Sequence, residues 1–162
     1  MIDFTILIYL KKENLTFFSE TLSSVLNQTG GLADLFIISD IPEADFDIRT
    51  VNTKIIKDDF HAMDIYSRIF PRSFSDHLIL LNNIDRKIIL DHNFCVKLQQ
   101  KSAALLRYPL ISVGNENNQG DMLIINKNLI DQKIIVKDWF IHSKKTHLPV
   151  ISPTGYSSVL PL

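Results

Sequence analysis

Residues able to do chemistry are sparse in this chain, and those in the first half stand at strand ends. Asn82-Asn83-Ile84-Asp85 follows directly on His77-Leu78-Ile79-Leu80-Leu81, an apolar run of strand length. Such a run predicts a strand buried on both faces, as in a parallel sheet. Open α/β sheets bind ligands at the carboxyl ends of their strands. The Asp85 carboxylate and the Asn82 and Asn83 carboxamides stand at that place. Asn and Asp are also ordinary turn formers, so this stretch alone leaves both readings open. Asp40 closes a second apolar run, Asp34 to Ser39, in the same way. Asp138 opens an apparent late helix, where the helix dipole favours an acid.

Other constellations carry less. His142 and His147 are five apart, not the four that put two imidazoles on one helix face. They read as surface residues. Asp91-His92-Asn93 reads as a turn and cap, and Asp58-Asp59 with His61 as a solvated loop. Cys95 is the single cysteine, which excludes an internal disulfide and a thiolate metal cluster. On a helix's first turn it reads as a small core residue. The 162 residues are 46% hydrophobic with net charge -1. That composition fits one domain over residues 1–162 with a sizeable core. The near-zero charge leaves no electrostatic footprint for nucleic acid. The apolar N-terminus precedes Lys11 and Lys12, the reverse of a secretory signal, and no run reaches membrane-spanning length. These features predict a cytoplasmic chain without a transmembrane segment.

The elements that must position these residues alternate. Phe4 to Leu10 predicts a buried first strand. Leu15, Phe18, Leu22, Val25 and Leu26 recur at helical steps, and Gly30-Gly31 ends that helix. Asp34 to Ser39 predicts a second strand and Thr53 to Ile56 a third. Met63, Tyr66, Ile69 and Phe70 predict a helix stopping near Pro71. After the strand ending at Leu81, a helix is expected from about Asn93 to Arg107, with Asn93 as its N-cap. Leu110 to Val113 and Met122 to Asn126 predict strands around a polar loop, Gly114 to Gly120. Asn128 to Gln132 suits a helical turn, Asp138 to Thr146 a helix, and Val150 to Ser152 a last short strand before a Pro-containing tail. The alternation predicts an α/β fold, a mostly parallel sheet with helices on both faces. A receiver-type domain is the rival, but it needs an acidic pair after the first strand, where Lys11-Lys12 stand.

Several phrases in this order resemble the family-2 glycosyltransferases. Ser23-Ser24-Val25-Leu26-Asn27-Gln28-Thr29 resembles the end of their first helix, and Phe36 to Asp40 their second strand. His77 to Asp85 resembles the strand that carries their metal-binding Asp-x-Asp. Gly120 to Lys127 resembles their acceptor-side strand, and Lys137-Asp138-Trp139 the Glu-Asp-Trp phrase of their late helix. The resemblance covers nearly the whole chain, which is shorter than usual members. It implies a single-domain GT-A-type fold that transfers a sugar from a nucleotide sugar to a glycan or lipid-linked acceptor. In that scheme Asp40 contacts the nucleotide base, Asp138 is the catalytic base, and Asn82, Asn83 and Asp85 face the diphosphate. Asp85 is also the candidate metal ligand, for Mn2+ or Mg2+.

The departures from the family pattern point to an alternative. The Asp-x-Asp position reads Asn82-Asn83-Ile84, and hard cations want charged oxygen ligands. Asp45-Phe46-Asp47 is an Asp-x-Asp string in the wrong loop. The counterpart of the family's Arg-Asn pair falls near Tyr66-Ser67, with Arg68 displaced. The alternative is therefore a catalytically inactive GT-A-fold binding or assembly module, holding no metal, that binds an active glycosyltransferase partner or a glycan.

Overall fold

The computed structural model describes residues 2–29, 32–41, 53–59, 62–84, 86–115, 118–131, 133–136, 149–151 and 156–159. β1 (Phe4–Leu10) is buried at every position, as its β-branched and apolar sequence demands. A 3-10 turn (Lys12–Asn14) leads into α1 (Leu15–Leu26). β2 (Leu32–Ser39) and β3 (Thr53–Lys57) follow. α2 (Ile65–Arg68) is a single turn, not the longer helix expected from the spacing of Met63 to Phe70. Pro71 takes the chain instead into a 3-10 turn, Phe70–Arg72. β4 (His77–Leu81) is buried throughout.

The expected helix from Asn93 to Arg107 is two helices, α3 (Phe94–Gln99) and α4 (Ser102–Arg107). Between them Gln100 and Lys101 donate to Lys97 and Leu98, three residues back, which tightens the chain and breaks the ladder. β6 (Leu110–Asn115) and β7 (Asn118–Asn126) extend through most of the expected polar loop. The turn over residues 127–129 is shorter than the expected one. Two strands have no counterpart in the sequence reading. β5 (Lys87–Leu90) lies in the link after β4, and β9 (Tyr156–Val159) follows the expected short strand β8 (Val150–Ile151).

The main sheet has seven strands in the order β3-β2-β1-β4-β7-β6-β8. β3, β2, β1 and β4 are parallel, and β7 pairs antiparallel to β4 and to β6. β5 and β9 form a separate antiparallel ribbon. The sheet is covered on both faces. Phe4, Ile6, Ile8 and Leu10 join Phe18 and Val25 of α1 and Phe94, Cys95 and Leu98 of α3 on one face. Leu7 and Tyr9 join Ile65, Ile69, Ile130 and Ile134 on the other. Burial of each such large apolar side chain contributes about 1.5–3 kcal/mol. The strand order reverses between β1 and β4, and an open α/β sheet has its ligand crevice at that point, outside the carboxyl ends.

Candidate functional site

The carboxyl ends of β3, β2, β1 and β4 and the start of β7 form one edge. Along it stand Asp58, Asp40, Lys11, Asn82 with Asn83, and Asp121. Asn83 is fully buried at the reversal point. Its Oδ1 accepts from the Tyr9 N–H at 2.9 Å and its Nδ2 donates to the Tyr9 carbonyl at 2.8 Å. Asn14, also buried, donates from Nδ2 to the carbonyls of Tyr9 and Asn83. Asn14 Oδ1 accepts from Lys11 N–H. Two asparagines therefore tie the ends of β1 and β4 together and floor the crevice. Asn83 sits where the sequence placed it, but its amide works inward on the main chain.

Asn82 carries the edge toward β7. Its N–H donates to the Asp121 carbonyl at 2.9 Å, and its Nδ2 to the carbonyl of Gly120 at 3.2 Å. Gly120 has φ of 93°, a left-handed conformation that glycine takes without cost. It turns the start of β7 toward Asn82. Asp121 next to it is fully buried. Arg86 Nη1 lies 2.9 Å from Asp121 Oδ1, and Ser158 Oγ donates to the same oxygen at 2.9 Å. Tyr156 donates its hydroxyl to Asp121 Oδ2 at 3.0 Å. Burial, then the Asp121 charge and this hydrogen bond, push the Tyr156 hydroxyl well above the ordinary tyrosine range. This cluster was missed by sequence reasoning. The signal was an acid opening the apolar run Met122 to Ile125, because a buried charge requires a partner.

The other candidates divide by place. Asp40 is exposed at the end of β2, where Ile41 N–H donates to Ser39 Oγ. Arg68 is ion-paired to Asp58 at 2.6 Å, at the end of β3. Asp64 caps α2 by accepting from Tyr66 N–H, and its Oδ1 also accepts from Ile134 N–H. That contact brings residues 133–136, the approach to Asp138, against α2. Asp85, Asp138, Asp45, Asp47, His61, His142 and His147 lie outside the described residues. Cys95 is buried, and burial pushes its thiol up to about 12, which keeps it inert at neutral pH.

The described residues at this strand end do not fit a divalent cation. The Asn83 amide is engaged by Tyr9, the Asn82 amide nitrogen by Gly120, and Ile84 packs against the core. Among the described residues no group of three His, Cys, Asp or Glu side chains is placed to hold a metal ion.

The Asn27-Gln28-Thr29 phrase serves the scaffold. Gln28 donates from Nε2 to the carbonyls of Ser24 and Asp91, and its Oε1 accepts from Cys95 N–H in the first turn of α3. Thr29 donates its N–H and its hydroxyl to the His92 carbonyl. Asn93, the expected N-cap, occupies the cap position without a side-chain cap bond. The cap comes from Gln28 on another helix's end.

Neither a protein-family profile nor a curated protein sequence matches the chain. Solved structures do match. S. aureus TarS, residues 1–349, aligns over 96% of this chain and 59% of its own, with TM-score 0.56 and 10% identity. The glycosyltransferase GlyE of Streptococcus pneumoniae TIGR4 aligns over 93% of this chain and 45% of its own, with TM-score 0.57 and 11% identity. A Desulfovibrio desulfuricans G20 protein assigned to the nucleotide-diphospho-sugar transferases aligns over 94% and 80%, with TM-score 0.51 and 15% identity. TarS 1–349 also matches as its complex with UDP-GlcNAc and as its complex with UDP. The chain thus spans about half the length of TarS 1–349 and of GlyE. No helix among the described residues is long and apolar enough to cross a membrane. With the reversal of strand order between β1 and β4 and the antiparallel β7, these matches give the chain a nucleotide-diphospho-sugar transferase, or GT-A-like, fold.

Proposed function

We propose that the chain is a glycosyltransferase domain of the family-2 type. It binds a nucleotide sugar at the carboxyl edge and transfers the sugar to a glycan or lipid-linked acceptor. The observation that supports this reading is the gathering of Asp40, Asn82 and the Arg86–Asp121 pair along the edge where this fold reverses its strand order. In the proposed reaction Asp40 holds the nucleotide base at the end of β2. Asp138 takes the proton from the acceptor hydroxyl, which attacks the anomeric carbon as the nucleoside diphosphate leaves. A carboxylate suits that task when ionised and within hydrogen-bond reach of the nucleophile. Asp85 faces the diphosphate.

One observation favours a second reading, a module that kept the fold and assembles with an active glycosyltransferase. It is the state of the two motif positions, where the Asn82 amide nitrogen bonds the Gly120 carbonyl and Ile84 packs against the core. Thermal unfolding with uridine or guanosine diphosphate, with and without Mn2+, tests the donor site that the enzyme needs. At a hundredfold excess over Kd, binding stabilises by about 2.7 kcal/mol. For a chain of this length that raises Tm by roughly 5–10 °C. Release of nucleotide from the matching nucleotide sugar in the presence of acceptor then separates enzyme from module. No shift with either nucleotide would overturn the donor-site reading.

A further inference from the structure

We propose that the Arg86 guanidinium supplies the positive charge facing the donor diphosphate, so that nucleotide binding needs no divalent cation. This rests on the reading of the carboxyl edge as a nucleotide-sugar site. Three observations carry it. First, the described residues at the metal-motif position do not fit a cation, because Asn82 offers only a neutral amide oxygen, the Asn83 amide is held by the Tyr9 main chain and Ile84 offers no ligand atom. A diphosphate bound here still requires a positive partner, since an uncompensated anion is costly to desolvate. Second, Arg86 stands at the right place. It follows the β4 exit, and its partner Asp121 accepts through its own carbonyl from Asn82 N–H. The guanidinium is thus tethered one residue away from the strand end at the reversal point.

Third, Arg86 is held as a positioned group. Asp121 is completely buried, whereas the Arg86 side chain keeps 13% exposure. Ser158 and Tyr156 also donate to Asp121, so a carboxylate held by three donors orients the guanidinium. A planar guanidinium can be oriented by a carboxylate while it binds phosphate, and it stays charged at every working pH. Burial of an acid does not by itself call for an arginine in this chain. Asp34, fully buried at the opposite edge, is held by the Thr5 hydroxyl and the Phe74 N–H, both neutral donors. The fully buried acid that is paired with a guanidinium is the one at the carboxyl edge.

Calorimetric titration of uridine and guanosine diphosphate, in EDTA and in Mn2+, tests this on three proteins. They are the unmodified chain, Arg86→Lys, and the double variant Arg86→Gln with Asp121→Asn. The double variant removes both charges of the pair while keeping groups that Tyr156 and Ser158 can bond, so no unpaired carboxylate is left buried at position 121. Circular dichroism confirms that each is folded. The unmodified chain should bind one of the nucleotides with the same Kd in EDTA and in Mn2+. Arg86→Lys should weaken binding, and the folded double variant should lose about tenfold or more, the loss of a charge-assisted hydrogen bond. Binding that requires Mn2+ would overturn this inference and leave the proposed function standing. So would a folded double variant that binds as well as the unmodified chain. No binding under any condition would overturn the proposed function, and this inference with it.

Discussion

Asn83 illustrates how one side chain decides between scaffold and site. Both of its amide functions engage the main chain of Tyr9, inside a region with no exposure. In Asn83→Ala the Tyr9 carbonyl keeps the Asn14 donor, but the Tyr9 N–H loses its acceptor. A buried unsatisfied donor costs about 1–3 kcal/mol, and chemical denaturation should show a loss of that size. Asn83→Asp should lose more. It keeps an acceptor for the N–H but sets a buried carboxylate oxygen against the Tyr9 carbonyl. An acid at this middle position of the motif would thus damage the fold. Tyr156 gives a second prediction. Its hydroxyl is raised in the folded state by burial and by Asp121. The stability linked to the neutral form is complete below the unfolded value of about 10 and is lost as pH rises toward the folded one. The urea midpoint should fall more steeply above about pH 10 for the unmodified chain than for Tyr156→Phe, which cannot ionise there. Equal slopes would contradict the burial of the hydroxyl beside the Asp121 carboxylate.

Between elements, Gln28 links α1 to α3, beside Thr29 at the His92 carbonyl. Gln28 bonds Ser24 and Asp91 and caps the first turn of α3 through Cys95 N–H. Gln28→Ala should cost about 1–2 kcal/mol, the range of a lost cap with one further hydrogen bond. Amide exchange should quicken in α3 while nucleotide affinity is unchanged. A loss of nucleotide affinity in a folded Gln28→Ala would show that the phrase serves the site. The buried strands β1, β2 and β4 were legible because continuous apolar runs have no other stable place. α1 was legible from its periodicity. β5 and β9 were not, because each is a four-residue strand whose partner is distant in sequence, Lys87 pairing with Val159. The same distance hid the site cluster. Asp121, Arg86, Tyr156 and Ser158 are brought together by the β5–β9 ribbon, and only Asp121, opening the run Met122 to Ile125, leaves a local signal. The break between α3 and α4 was equally hidden, since Gln100 and Lys101 are good helix formers and only the hydrogen-bond pattern shows it.

At the scale of the whole molecule, the strand order places the site. β4 pairs with β1 beside the point where the order turns back, so the chain's polar strand ends fall on one edge. The opposite edge is finished with contacts that close the fold, such as Lys127 donating to Ser73 and His77 bonding the Leu105 carbonyl. The matched structures support this architecture at low identity, 10% for TarS 1–349 and 11% for GlyE, so the likeness rests on topology and packing and not on shared residues. The site therefore has to be tested on this chain. Amide chemical-shift mapping with the nucleoside diphosphate that raises Tm does so most directly. The account predicts perturbations gathered at Leu10, Lys11, Asp40, Ile41, Asn82 and Arg86, along the carboxyl edge on both sides of the β1–β4 reversal. A groove of about 480 Å³ between α1 and β5, lined by Glu20, Ser23, Asn27 and His92, serves as an internal control. Perturbations confined to that groove or to the edge near Ser73 and Lys127, with the carboxyl edge unmoved, would contradict the account.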